Sequence, residues 1–179
     1  MQALKYINQL KGIVFHIDKY QRGYRWGKRE IFSLLEDIYS FKKSSNNSFY
    51  CLQPLVVSKK EDNNYELIDG QQRSTTIYLI LKYLLNEDFY TLKYETRGNE
   101  EGNNLFLTQL NNYTIPDFSN IDSEKLDEEI SKFWKNEFVK LNQIQDSVDN
   151  FYFFKAFSLI KYWFSSKIEE ERTFLQSNL

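Results

Sequence analysis

The sequence has few of the residues on which disulfide frameworks, metal sites and membrane spans depend. Its 179 residues include one cysteine, Cys51, and one histidine, His16. A single cysteine excludes an internal disulfide and is typical of a reducing compartment, so we expect a cytoplasmic protein. A single histidine argues against a His-rich metal site or an HNH-type nuclease centre within this chain. No segment approaches the roughly 18 apolar residues of a membrane span, so we expect no membrane partner.

Proline and glycine are also scarce, and no charge dominates. The chain has 2 Pro and 6 Gly, which argues against a linker-rich or disordered protein. Its formal net charge of -2 gives no overall attraction for DNA, although a local basic cleft is not excluded. Aromatic residues make up 17% of the sequence, which we interpret as a core built on aromatic side chains. The length fits one domain with a substantial core.

The hydrophobic pattern predicts strands early in the chain and helices late. This order favours an α+β fold over alternating βαβ units. The predicted strands are residues 13–17 and an antiparallel hairpin of residues 49–59 and 64–69. Ser123 is the predicted N-cap of a helix reaching about residue 141, and residues 96–104 are predicted to be loop. The other predicted helices cover residues 28–41, 71–86 and 149–166.

Polar residues crowd the junction between a predicted strand and a predicted helix in LIDGQQRSTTIYLILKYLL, residues 67–85. The first turn of a helix has N–H groups without intrahelical partners, and their dipoles favour anions such as phosphate. Gly70 permits a tight turn, and Arg73 adds a guanidinium suited to phosphate oxygens. We therefore predict an anion site here. Its other predicted contributors are Gln71, Gln72, Ser74 and Thr75.

Asp69 does not fit a site made only for phosphate, because a carboxylate repels an anion. It is expected either to hold a divalent cation together with the phosphates or to cap the helix. The alternative for the whole stretch is an ordinary helix start, with Gln71 and Gln72 solvated in the first turn. The sequence has no GxxxxGK[ST] motif, which excludes a P-loop of the usual kind.

A second polar cluster is IDKYQRGYRW, residues 17–26. Aromatic rings interleaved with Arg22 and Arg25 are suited to stacking a base and holding phosphates. The alternative is that Tyr20, Tyr24 and Trp26 simply pack the loop onto the core. We favour packing for the three aromatic side chains and function for Arg22. Both clusters are rich in groups suited to phosphate, so we predict that they meet in space and line one cleft.

Together the two clusters resemble the GmrSD restriction endonuclease N-terminal domain family, the DGQQR-motif proteins. The matching positions are YQR at residues 20–22 and DGQQR at residues 69–73. Both motifs in this order, separated by a helix and a hairpin, make the resemblance specific over at least residues 1–97. Asp18 stands where the family usually has proline, which affects loop rigidity more than chemistry.

The resemblance implies a ParB/sulfiredoxin-like nucleotide-binding core over residues 1–97, with residues 98–179 forming a helical extension packed on it. It implies a nucleoside triphosphate and Mg²⁺ as cofactors. Asp69 is then the expected metal ligand, and Asp69, Arg73 and Arg22 are the expected catalytic residues. The expected nucleotide-binding residues are Tyr20, Gln21, Arg22, Gly70, Gln71, Gln72, Arg73, Ser74 and Thr75.

The leading hypothesis is a nucleotide-binding and hydrolysing regulatory domain of a modification-dependent restriction or phage-defence system. It is expected to act with a nuclease domain or subunit outside this chain, and on modified DNA. The chain is expected to be either a truncation of a longer protein or a stand-alone regulatory subunit. The alternative is a non-catalytic ParB-like module that binds DNA or protein. A sulfiredoxin-like reductase is disfavoured, because residues 69–76 contain no cysteine.

Overall fold

A four-stranded mixed sheet forms one side of the molecule. The computed structural model describes residues 6–44, 50–95, 100–167 and 173. The strands are β1 (Val14–Ile17), β2 (Val56–Glu61), β3 (Asn64–Asp69) and β4 (Thr91–Tyr94), in the order β2-β3-β1-β4. β1 is parallel to β3 and β4, whereas β2 is antiparallel to β3. The predicted α+β class is therefore confirmed.

Helices supply most of the remaining structure. They are α1 (Lys28–Ser44), α2 (Gln71–Leu85), α3 (Glu100–Gln109), α4 (Leu126–Phe133), α5 (Val139–Asn142) and α6 (Val148–Ser165). A π-helical turn, Trp134–Phe138, joins α4 to α5, and short 3-10 turns cover Ile7–Leu10 and Leu110–Asn112. The predictions for α1, α2 and α6 are confirmed. None of the described helices is both long and apolar enough to cross a membrane.

The predicted hairpin is present, but its first strand is shorter than expected. β2 begins at Val56 rather than near residue 49. Pro54 has no N–H to donate to a strand ladder, which explains why pairing begins after it. Every residue of β2 is exposed, as befits the strand at the edge of the sheet. Asn63 makes the turn into β3 with a φ of 60°.

Two sequence predictions in the second half need correction, and one strand was missed. The predicted loop at residues 96–104 is wrong in part, because α3 begins at Glu100, while residues 96–99 lie outside the described residues. Asn104 looks like a loop residue, but its side-chain amide bonds both the N–H and the C=O of Tyr94 at the unpaired edge of β4. β4 itself was not predicted. Ser123 is not an N-cap either: α4 begins after Lys125, and the Ser123 hydroxyl accepts from Lys28 Nζ at 3.1 Å.

The hydrophobic core runs continuously from the sheet into the helices. α6 packs against α1, α2, α3 and α4, and its Phe153, Phe154 and Ile160 are fully buried. The ring centroids of Phe154 and Phe138 lie 4.4 Å apart. The expectation of an aromatic core is thus confirmed. The expected division at residue 97 lies outside the described residues and stays a prediction.

Candidate functional site

The junction between β3 and α2 is shaped by a glycine in the left-handed conformation. Gly70 is the N-cap of α2, with φ 95° and ψ 9°. The conformation favours glycine, and a Cβ at this position would lie 2.5 Å from Leu55 Cδ2, so the end of the Leu55 side chain would have to shift. The exposed Asp69 is not the N-cap residue. Its Oδ1 accepts from the Gly70 N–H at 2.8 Å and so fixes the turn.

Both glutamines of the DGQQR motif point back towards the second polar cluster, residues 17–26, which we call the YQR segment. Gln71 Nε2 donates to the backbone oxygen of Arg22. Gln72 Nε2 donates to the Gly23 oxygen at 3.1 Å, and Gln72 Oε1 accepts from the Arg25 N–H at 2.7 Å. Both side chains are buried, so the alternative of solvated first-turn residues is wrong. They hold the YQR segment over the start of α2.

Gln21 makes the reciprocal connection to β3. Its Nε2 donates to the backbone oxygens of Leu67 and Ile68 at 2.7 and 2.9 Å. The predicted meeting of the two motifs in space is therefore confirmed. Two buried acceptors, Gln21 Oε1 and Gln71 Oε1, have no hydrogen-bond partner among the described residues. Unpaired buried acceptors are uncommon in folded proteins and are suited to a donor from a bound molecule or water.

The two arginines with expected catalytic roles differ in their surroundings. The side chain of Arg22 is exposed, while its backbone is fixed by Gln71 at the start of α2. Arg73 is partly buried, and its guanidinium donates to the backbone and side-chain oxygens of Gln53 at 2.7 and 2.6 Å. The small cavity of about 30 Å³ beside Arg73 is not lined by any residue of the YQR segment. A cleft shared by both arginines stays a prediction.

The hydroxyl groups that follow Arg73 are engaged within the fold. Ser74 and Thr75 donate to the backbone oxygens of Gly70 and Gln71, four residues earlier. Thr75 Oγ1 also contacts the hydroxyl of Tyr94. The side chains of Ser74, Thr75 and Tyr94 are all buried. Ser74 and Thr75 thus stabilise the first turns of α2, and their nucleotide-binding role stays a prediction.

The aromatic residues of the YQR segment divide between core and surface. Tyr24 is fully buried, its hydroxyl lies 2.8 Å from Thr76 Oγ1, and burial raises its pKa far above the ordinary tyrosine value. Trp26 packs against the core and is partly buried. Tyr20 is 64% exposed, so the packing expected for it is wrong. Its hydroxyl donates to Glu66 Oε1 at 3.4 Å. Its pKa is raised mainly by desolvation and, to a smaller extent, by the charge of Glu66.

An ion pair that the sequence analysis missed ties the YQR segment to α6. Arg25 Nη1 donates to Asp149 Oδ1 at 2.7 Å, and the guanidinium lies 4.9 Å from the ring centroid of Tyr152. A Cβ on Gly23 would lie 2.1 Å from Asp149 Oδ1, so only glycine permits this approach. No local pattern relates Arg25 to an aspartate 124 positions later.

The residues at the junction offer one carboxylate to a metal ion. No group of three or more His, Cys, Asp or Glu able to hold a metal occurs within residues 6–44, 50–95 and 100–167. Mg²⁺ often binds through one or two carboxylates together with phosphate oxygens and water. Asp69 is exposed, and the Gly70 N–H bonds only one of its two carboxylate oxygens, so its chemistry fits the expected ligand of a nucleotide-bound cation.

The fold and this junction define an α+β domain in which a glycine-capped helix start is covered by a polar loop fixed through glutamine side chains. The chain matches the model of the GmrSD restriction endonuclease, N-terminal domain, over residues 3–178. The chain belongs to this family. It is therefore a component of a restriction or defence system, and the family implies a partner nuclease domain and DNA. Neither a curated protein nor a solved structure matches the chain.

Proposed function

We propose that this domain binds a nucleoside triphosphate with Mg²⁺ at the start of α2, hydrolyses it, and thereby regulates a nuclease partner. The observation that carries the proposal is the position of Arg22. Its backbone is held by Gln71, the first residue of α2, while its side chain remains exposed. The backbone of an exposed arginine is thus held beside a helix N-terminus, where phosphate is electrostatically favoured, and its guanidinium is free to reach a phosphate there.

The first turn of α2 supplies further donors. The first intrahelical bond at this end runs from the Ser74 N–H to the Gly70 oxygen at 2.9 Å. The N–H groups of Gln71, Gln72 and Arg73 precede it and have no acceptor within the helix. Arg73 uses two of its five N–H donors on Gln53, which leaves others for phosphate. Phosphate bound here would receive both backbone and guanidinium hydrogen bonds.

For hydrolysis, the side chains act mainly through charge and position. Arg22 would stabilise negative charge that develops on the transferred phosphoryl group, and Arg73 would hold the phosphates while fixing the Gln53 segment. Asp69 would hold Mg²⁺, which neutralises phosphate charge when it is bound. The unpaired Gln71 Oε1 lies beside this region and is suited to a donor such as an attacking water or a ribose hydroxyl.

Titration calorimetry with the four ribonucleoside triphosphates, with and without Mg²⁺, tests the binding step. We expect Arg22→Ala to weaken binding by about one to two decades, since a hydrogen bond to a charged group contributes roughly 1.5–3 kcal/mol. The matched control is Arg29→Ala, which removes an exposed arginine of α1 and should bind as wild type does. Phosphate release by the same proteins measures hydrolysis.

Variants of Arg73 and Asp69 test two parts of the proposal separately, namely phosphate binding and Mg²⁺ binding. Arg73→Ala should largely abolish binding, whereas Gln53→Ala removes one of its partners and should retain most of it. Asp69→Ala should weaken chiefly the Mg²⁺-dependent part of binding. Normal triphosphate binding by both Arg22→Ala and Arg73→Ala would show that the phosphate site lies elsewhere. Absent nucleotide binding together with DNA binding would favour the non-catalytic ParB-like module.

A further inference from the structure

A second cleft lies in the helical part of the molecule, away from both motifs. Its volume is about 260 Å³, and none of its lining residues belongs to residues 17–26 or 67–76. Aromatic walls come from Tyr83, Phe118 and Tyr162. Its polar groups come from Asp117, Ser158 and Lys161. The cleft combines aromatic rings with hydroxyl groups, one cation and one carboxylate, a mixture suited to a planar ligand with polar edges.

Lys161 offers a hydrogen-bond donor to this cleft. Its Nζ donates to the backbone oxygen of Ile115 at 3.1 Å. Burial lowers the pKa of Lys161, and the charge of Asp117 opposes this shift. An ammonium group has three N–H donors, so two remain for a ligand. A partly desolvated ammonium makes stronger hydrogen bonds than one in bulk water.

Asp117 offers a complementary acceptor. It is exposed, and its Oδ1 accepts from the Ser119 N–H at 2.9 Å. Hydrogen bonds from Ser119 lower its pKa, so the carboxylate is charged at neutral pH. No direct ion pair joins Asp117 to Lys161 in the part of the chain that the structure describes. The two groups therefore present a donor and an acceptor separately.

A buried hydroxyl beside the cleft has no partner. Ser158 is fully buried and lines the cleft, and its Oγ makes no hydrogen bond to any described residue. A serine within a helix usually bonds the carbonyl four residues earlier. Leaving a buried hydroxyl unpaired is unfavourable, which makes the position suited to a bound molecule or an ordered water.

The aromatic walls are fixed by contacts behind them. The Tyr162 ring lies 6.2 Å from that of Phe32 with an interplanar angle of 3°, and its hydroxyl donates to the Ile121 oxygen at 3.2 Å. Tyr83 packs on Phe164, with ring centroids 5.1 Å apart. Rings held in this way lose little freedom when a flat ligand packs against them, which favours binding of a planar heterocycle.

We propose that this cleft binds a nucleobase, with Lys161 donating to a carbonyl or ring nitrogen on the base edge and Asp117 accepting from an adjacent N–H group. The aromatic walls contact the faces of the base. A free nucleoside and a base unstacked from single-stranded DNA present the same chemistry. This site is separate from the start of α2 and does not depend on nucleotide binding there.

Titration of the protein with cytidine and guanosine tests the proposal, because nucleosides lack the phosphates on which the α2 site depends. Lys161→Met and Asp117→Asn should each weaken binding by about tenfold or more. Lys155→Met is the matched control, since Lys155 lies on the same helix and pairs with Asp127 outside the cleft.

A short single-stranded oligonucleotide, with and without an abasic position, distinguishes the two sources of the base. If the wild-type protein binds nucleosides and both cleft variants lose this binding, the ligand is a free nucleoside. If the protein binds the oligonucleotide but not the nucleosides, and both the abasic position and Asp117→Asn weaken this binding, the ligand is a base within a strand. Binding unchanged in Lys161→Met and Asp117→Asn, or no binding of either probe at millimolar concentration, overturns the proposal. Asp117 is exposed, so Asp117→Asn keeps the test valid should Lys161→Met fail to fold.

Discussion

Arg25 and Asp149 join the polar loop beside the candidate site to the longest helix of the second half, with Nη1 and Oδ1 2.7 Å apart. Both side chains are largely shielded, with 32% and 17% of their side-chain surfaces exposed. The same guanidinium contacts the Tyr152 ring. The ion pair and this contact therefore fix the YQR segment against α6, close to the proposed nucleotide site.

Breaking this pair should destabilise the protein more than breaking a surface pair. We expect Asp149→Asn to lower the free energy of unfolding by about 1–3 kcal/mol, because Arg25 then keeps a partly buried charge without its counterion. Urea denaturation measures the change. Lys59→Ala, which breaks the exposed pair with Asp62, is the control and should stay within about 0.5 kcal/mol of wild type. Equal effects at both sites would show that this pair stabilises the fold no more than an exposed surface pair does.

Gly70→Ala should destabilise the start of α2 through both strain and a clash. The left-handed φ and the contact with Leu55 each oppose a Cβ, and we expect a loss of about 2 kcal/mol or more in unfolding free energy. Gly12→Ala provides the comparison, because Gly12 has φ +76° but open space around its Cβ position. The loss of unfolding free energy caused by Gly70→Ala should be smaller in a Leu55→Ala background. A cost in the wild-type background equal to that of Gly12→Ala, or a cost that Leu55→Ala leaves unchanged, would exclude the clash.

Gln72→Leu should release the YQR segment. The change leaves the Gly23 oxygen and the Arg25 N–H without their partner, and each buried group left unsatisfied costs about 1–3 kcal/mol. Hydrogen exchange by NMR or mass spectrometry reports the Arg25 amide directly, and its protection should be lost. Gln53→Leu is the control, because Gln53 is exposed and contacts Arg73 instead. Unchanged protection of the Arg25 amide would show that Gln72 does not hold the YQR segment in place.

The protein should lose stability in alkaline solution. Burial holds the pKa values of Tyr24, Tyr78, Tyr90 and Tyr94 above the ordinary value of 10.0 in the folded state. Their stabilising contribution is complete below about pH 10, where the unfolded tyrosines are also neutral, and it is lost as the pH rises above 10. Urea denaturation from pH 8 to 11 measures the decline, which Tyr24→Phe should make shallower. An unchanged slope in Tyr24→Phe would show that this tyrosine ionises in the folded state.

The sequence predicted the junction well because its signals are local. Strand alternation gives way to helical spacing across Asp69 and Gly70, and the structure places the change of element there. The contact between the two motifs was expected from their shared chemistry. The burial of Gln71 and Gln72 was not anticipated as a structural role, because an amide in a first turn looks the same in sequence whether it faces water or a returning loop.

Features formed by distant residues left weaker signals. β4 has only four residues, TLKY, which is too short to show a clear period and depends on pairing with β1. Asn104 supports β4 from within α3, yet asparagine is ordinarily a turn residue. Ser123 has the right chemistry for an N-cap, but Lys28 contacts its hydroxyl and the helix begins later.

The central position of β1 also determines the order in which the sheet can assemble. Val14 pairs with Asn64 on one side and with Thr91 on the other, so both neighbours of β1 are made much later during synthesis. The β2–β3 hairpin can close locally within microseconds, whereas joining β1 requires long loops to close. The apolar Phe15 and Ile17, buried in the folded protein, consequently lack their sheet neighbours on the nascent chain until β4 has emerged from the ribosome, which exposes this early segment to aggregation during translation.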